Sequence, residues 1–203
     1  VKLIIFRLGF YMTTPAITPA LIREVEAQAT LLFSADDIKA GLDKMTAKMQ
    51  RVLEQTNPII LTVMNGGLFV ASEICLRLNF PLQMDYIHAT RYQGEVTGSS
   101  IHWKREPSLP LTGRVIVIID DILDGGLTLQ AVKDYCHGHG AAKIYTAVLM
   151  DKINARLPEG LAHPDFAAIE EPENHYVYGF GLDYHDYLRN IPAIYRVAPQ
   201  HMF

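Results

Sequence analysis

Cysteine is almost missing from this chain: Cys75 and Cys136 are the only two in 203 residues. Each falls in a predicted amphipathic helix and reads as a small buried hydrophobe. That leaves no disulfide framework and implies a reducing, cytoplasmic setting. An excess of positive charge is missing too. Lys and Arg number 18 against 22 Asp and Glu, for a net charge of −4, so no overall basic field recruits nucleic acid. No apolar run reaches the ~20 residues that a membrane span needs, which argues against a membrane partner. A Walker loop of the form GxxxxGK[ST] is also absent.

What remains is an ordinary globular composition, 49% hydrophobic and 20% charged. The opening VKLIIFRLGFYM is a short apolar stretch interrupted by Arg7, with no cleavage site after it, so it does not read as a signal peptide. Met12 reads as the natural start. Residues 1–11 are then a non-native or disordered extension, and residues 12–203 a single domain.

The apolar pattern along the chain alternates between two periods. Helices are expected over 18–33 and 35–55, the second opened by a Ser34/Asp37 capping box and carrying Ile38, Leu42, Met45 and Met49 at helical spacing. IILTVM (59–64) is a buried strand, NGG a turn, and 68–78 a helix. QMDYIHATRY (83–92) alternates as a strand, and 93–113 reads as a mobile loop or hairpin. A strand over 114–119, a helix over 127–137 and a strand over 143–150 follow, and then an irregular stretch over 151–175. Strands alternating with helices mean βαβ units, an α/β fold with a mainly parallel sheet. Ligands in such folds sit beyond the C-terminal ends of the strands. MNGG, DDILDGGLT and MDK each stand at such an end.

The run VIVIIDDILDGGLTL (115–129) is the most informative. Asp120, Asp121 and Asp124 follow a buried strand, although carboxylates are costly to desolvate. One acidic residue can cap a helix, but three exceed what a cap requires. Gly125 and Gly126 permit close backbone approach. With Leu127 and Thr128 they open a helix whose unpaired N–H groups suit a monophosphate. Asp120 and Asp121 can accept hydrogen bonds from sugar hydroxyls, directly or through Mg²⁺.

This run resembles the phosphoribosyl-pyrophosphate (PRPP) motif of type I phosphoribosyltransferases. VMNGG (63–67), DYIHATRY (85–92), VLMDK (148–152) and YGFGLDYHDYLRN (178–190) resemble, in order, further segments of the hypoxanthine-guanine branch of that family. The resemblance implies the family fold with a small hood or C-terminal subdomain. It also implies transfer of a phosphoribosyl group from PRPP to hypoxanthine and guanine in purine salvage. Asp124 would be the catalytic carboxylate at purine N7. Asp120, Asp121, Gly125, Gly126, Leu127 and Thr128 would hold the ribose and its 5′-phosphate. Asn65, Gly66 and Arg189 would hold pyrophosphate. Lys152 would donate to the 6-oxo group, Tyr176 would stack on the base, and Val177 would meet the base edge. Asp183 would carry Mg²⁺, while Arg91 and Tyr92 open a mobile loop. A homodimer or homotetramer is implied.

The chain departs from the pattern in three places. Gly125 stands where Thr or Ser is common, Asn65 where some members carry Lys or Arg, and Arg91 where Ser is frequent. Arg91 would restore positive charge near pyrophosphate. Two rival readings are a xanthine-preferring transferase and a non-catalytic regulatory protein that senses PRPP or nucleotides. His137 and His139 lie at a helix end with no further ligands apparent and are not read as a metal site. Trp103 falls in the mobile segment, where it can cover the site or pack between subunits.

Overall fold

The computed structural model describes residues 16–91 and 101–203. The expected N-terminal extension and Tyr92 lie outside them.

Two helices pack beside the sheet because their apolar residues recur on one face. Helix α1 (Pro19–Gln28) starts with Thr18 capping Leu21 N–H and proline in the first turn. Helix α2 (Ala35–Leu53) carries the expected capping box, with Ser34 and Asp37 satisfying each other's backbone N–H groups. Its Ile38, Leu42, Met45, Met49 and Leu53 are all buried. The expected helix over 18–33 is half wrong. Ala29 turns extended, and Thr30–Phe33 form strand β1. Antiparallel pairing with β9 (Ile194–Arg196), some 160 residues away, overrides the local helical spacing.

The main sheet has six strands in the order β4-β3-β2-β5-β6-β7. They are β2 (Ile59–Val63), β3 (Gln83–Arg91), β4 (Ile101–Arg105), β5 (Val115–Leu123), β6 (Lys143–Asp151) and β7 (Phe166–Glu170). All neighbours run parallel except β3 and β4. Of the mobile loop or hairpin expected over 93–113, the hairpin alternative holds, since β4 returns antiparallel along β3; the irregular stretch after residue 151 contains β7. Both strands are short, and β7 (FAAIE) is rich in alanine, so neither shows a clear strand period.

Helix α3 (Gly67–Arg77) covers one face of the sheet together with α2. Helix α4 (Leu127–Gly138) covers the other. Trp103 packs against Tyr135 of α4, with ring centroids 5.0 Å apart, so it closes the core beneath the hairpin rather than lining the site. Cys136 is buried and Cys75 half-buried. Burial pushes their thiols up to about 12 and about 11, which suits inert packing groups.

A second, antiparallel sheet joins β1, β9 and β8 (Val177–Tyr178). With α1 it buries Ile22, Val25, Tyr178, Tyr184 and Val197. None of the described helices is long and apolar enough to cross a membrane.

Candidate active site

Connectivity determines where the site must lie. From β2 the chain passes through α3 to β3 on one side, and from β5 through α4 to β6 on the other. The paired strands β2 and β5 therefore flank a topological switch point, and their C-terminal ends diverge into a cleft.

The cleft, about 310 Å³, is lined by Met64, Asn65 and Gly66 after β2, by Asp120–Gly126 and Thr128, and by Asp183 and Arg189 from the C-terminal segment. The Met64–Asn65 peptide is cis. A second cleft of about 220 Å³ adjoins it, lined by Asp121, Ile122, Asp124, Lys152, Tyr176, Val177, Leu182 and Asp183. Asp121, Ile122, Asp124 and Asp183 belong to both. Residues spread over 126 positions of sequence thus meet in one place.

Asp120 and Asp121 are not in a turn, as the sequence suggested, but in the strand itself, which continues to Leu123. Both are buried. Desolvation and the Asp121 charge raise the Asp120 carboxyl well above the ordinary carboxylate range. Desolvation also raises Asp121, against the pull of the Asp120 hydrogen bond and Arg189. Asp120 accepts from the Asp121 N–H at 2.9 Å. Gly66 lies so close that a Cβ there would overlap the Asp121 carboxylate. Only glycine lets the β2 loop approach the acidic strand end in this way.

Gly126, with φ +82°, ends the strand loop and starts α4 with no side-chain cap. The first N–H groups of α4 are therefore left for a ligand, in contrast to the capped starts of α1 and α2. At Gly125 a Cβ would meet only the exposed Leu157 side chain, 3.0 Å from its Cδ1, which a small shift of that leucine relieves. Leu157 and Leu161 donate their N–H groups to the Gly125 and Gly126 carbonyls, so residues 157–161 back the loop.

Asp124, the first residue past β5, is half exposed. Its Oδ2 lies 3.5 Å from Nζ of Lys152, the first residue past β6, whose side chain is buried. Tyr176 and Val177 form the other side of the second cleft. Burial raises the Tyr176 hydroxyl further above its ordinary range. Six left-handed residues between Gly179 and Leu188 coil the next segment tightly. That coil sets Arg189 against Asp183 at 2.7 Å and Asp121 at 3.7 Å, with a further hydrogen bond to the Gly181 carbonyl. Arg91 ends β3, paired with Ile101.

Some supporting residues gave no sequence signal. Arg156 ties the carbonyls of Leu123, Asp124 and Lys152 together. Glu171, buried, accepts from the N–H groups of Glu173 and His175 and from the His175 ring, which fixes the loop before Tyr176. Neither falls in a periodic or glycine-rich stretch.

A mainly parallel α/β sheet with a glycine loop opening an uncapped helix and an acidic strand end at its switch point defines an α/β protein with a phosphate-type cleft. The sequence model of the phosphoribosyl transferase domain matches residues 32–185, and the chain belongs to that family of PRPP-dependent enzymes. It is 29% identical over 165 residues to the hypoxanthine-guanine phosphoribosyltransferase of Streptococcus pneumoniae strain R6, covering 81% of this chain and 90% of that one. It is 26% identical over 164 residues to the hypoxanthine-guanine-xanthine phosphoribosyltransferase of Tritrichomonas foetus, covering 81% and 88%. A solved hypoxanthine phosphoribosyltransferase from Staphylococcus aureus shares the fold with a TM-score of 0.80 at 20% identity, over 93% of this chain and all of that one.

Proposed function

We propose that this protein transfers the 5-phosphoribosyl group of PRPP to hypoxanthine and guanine, giving IMP and GMP with release of pyrophosphate. The observation that carries the reading is the Asp124–Lys152 pair, 3.5 Å apart, where the two clefts meet. A 6-oxopurine presents N7 and O6 side by side on one edge. Lys152 donates to O6, and a 6-amino group, itself a donor, would be refused. Asp124 accepts or holds the proton at N7. Tyr176 stacks on the ring, and Val177 contributes backbone contacts.

In the larger cleft, Asp120 and Asp121 accept from the ribose hydroxyls. Gly125, Gly126, Leu127 and Thr128 hold the 5′-phosphate. Asn65, Gly66 and Arg189 hold pyrophosphate, Arg189 through its planar fork. As the bond from C1 to pyrophosphate breaks, its electron pair leaves with pyrophosphate. A ring nitrogen of the purine forms the new bond to C1, and the proton that the base gives up at N7 passes to Asp124. The chain's task is to hold both partners in line and to compensate charge.

Mg²⁺ fits this donor set. Among the described residues no cluster of three or more metal-binding side chains forms by itself. Yet Asp183 lines both clefts, and Mg²⁺ needs few protein carboxylates beside phosphate oxygens and water. When bound, it supplies positive charge to the leaving pyrophosphate.

The relatives' names favour hypoxanthine and guanine, and one adds xanthine. Initial rates with PRPP and Mg²⁺ against hypoxanthine, guanine, xanthine and adenine test the reading directly. Turnover of the first two with adenine inert supports it. Preference for xanthine would move the assignment to the xanthine-preferring branch. No turnover with PRPP still bound would favour the regulatory reading. A homodimer or homotetramer belongs to this proposal, checked by light scattering in solution.

A further inference from the structure

We infer that Arg156 is a positioning residue that sets the spacing between Asp124 and Lys152 and so fixes which purine edge the protein accepts. The inference rests on the phosphoribosyl-transfer reading above.

Strands β5 and β6 stay in register up to the pair Leu123–Asp151. Beyond it the ladder ends, and Asp124 and Lys152 are the first residues outside. A single backbone bond, Lys152 N–H to the Leu123 carbonyl at 3.1 Å, crosses there. Arg156 supplies the rest. Its Nη1 donates to the carbonyls of Leu123 at 2.7 Å, Asp124 at 2.6 Å and Lys152 at 3.0 Å. Its Nη2 pairs with the buried Asp151 carboxylate, and its Nε donates to the Ala162 carbonyl at 2.9 Å. The guanidinium thus grips the last residue of both strands and the first residue past each. Arg156 lines neither cleft, so it acts through these backbones and not on the substrate.

Two groups carried on separate strands can address one edge of a base only if their spacing is held to about 0.5 Å. A displacement of about 1 Å typically costs about 100-fold in rate. Lysine at this position would keep a charge for Asp151 but lose the planar fork that reaches four carbonyls and a carboxylate at once.

The test uses the full chain with Arg156→Lys. Rates with hypoxanthine, guanine and adenine are measured alongside PRPP binding by calorimetry. The expected result is a loss of about 10- to 100-fold in kcat/KM for hypoxanthine, a smaller preference for hypoxanthine over adenine, and unchanged PRPP affinity. A variant that only melts earlier, with rate and base preference unchanged, overturns the inference and leaves a purely structural arginine. If Arg156→Lys does not fold, Asp151→Asn removes one arm of the grip and should narrow base preference in the same direction. Undiminished preference there overturns the inference as well. A wild type inert toward every base sinks the phosphoribosyl-transfer reading itself and this inference with it. An active wild type equalled by the variant sinks the inference alone.

Discussion

Asp120 shows how function is written into one residue at the expense of stability. Its carboxyl is buried beside Asp121, and its pKa lies well above the ordinary range because of desolvation and that neighbouring charge. A carboxyl with a raised pKa in the folded chain holds its proton more tightly there than when unfolded. Its contribution to stability is therefore present at acid pH and is lost as pH rises from the ordinary carboxylate range through the folded value. Asp120→Asn keeps an acceptor for the Asp121 N–H and removes this loss. The expected gain near neutral pH is about 0.5–2 kcal/mol, a Tm rise of a few degrees for a chain of this size. The gain should shrink toward about pH 4, while affinity for PRPP falls. A thermal melt series across pH checks the first part and calorimetry the second. An equal or lower Tm at neutral pH would mean that Asp120 is better accommodated than its burial implies. Asp124 is the counterpart. It is half exposed and faces Lys152, so Asp124→Asn should leave the fold and substrate binding intact. Turnover should fall by about 10²–10⁴, the usual scale for a lost acid–base group. Unchanged turnover would remove Asp124 from the chemistry.

At the scale of elements, the start of α4 and its end offer a matched pair of glycines. Gly126 has φ +82°, and a Cβ there would stand 2.7 Å from Leu161 N. Gly126→Ala should cost about 1–3 kcal/mol and weaken PRPP binding, because the loop and the helix start move together. Gly138, in the last turn, has nothing within 4 Å of its would-be Cβ. Gly138→Ala should be neutral or stabilise by up to about 1 kcal/mol with kinetics unchanged. Equal effects at the two ends would contradict the special role of the helix start.

The same elements show what sequence could and could not reveal. Helix α2 was legible because its cap and its apolar period are local, and both reappear in the structure. The acidic run was legible because Asp120, Asp121, Asp124, Gly125 and Gly126 are contiguous. Strand β1 was not, since its partner is β9, at the far end of the chain. Arg156 was not, since its partners are mostly carbonyl oxygens, which every residue has and no motif records.

At the scale of the whole molecule, the clefts are short of free positive charge. Asp120, Asp121, Asp124 and Asp183 line them, with Arg189 and Lys152 as the only described cationic lining residues. Both are already engaged, Arg189 by Asp183 and Asp121, Lys152 by Asp124. PRPP is a polyanion, and a site so balanced would repel it unless a divalent cation accompanied it. Arg189 also links the coiled C-terminal segment to the main sheet, so a ligand seated there bridges the two parts. PRPP with Mg²⁺ at about 100 times its Kd should stabilise the fold by about 2.7 kcal/mol. That is a Tm rise of about 5–10 °C for a chain of this size. PRPP with a chelator in place of Mg²⁺ should give little or none of that rise. Mg²⁺ alone should also give little, because Asp183 by itself is a weak site. If PRPP raised Tm equally with the chelator present, the cationic compensation would have to come from the protein. Arg91, the last residue of β3, would then be the first residue to test by substitution.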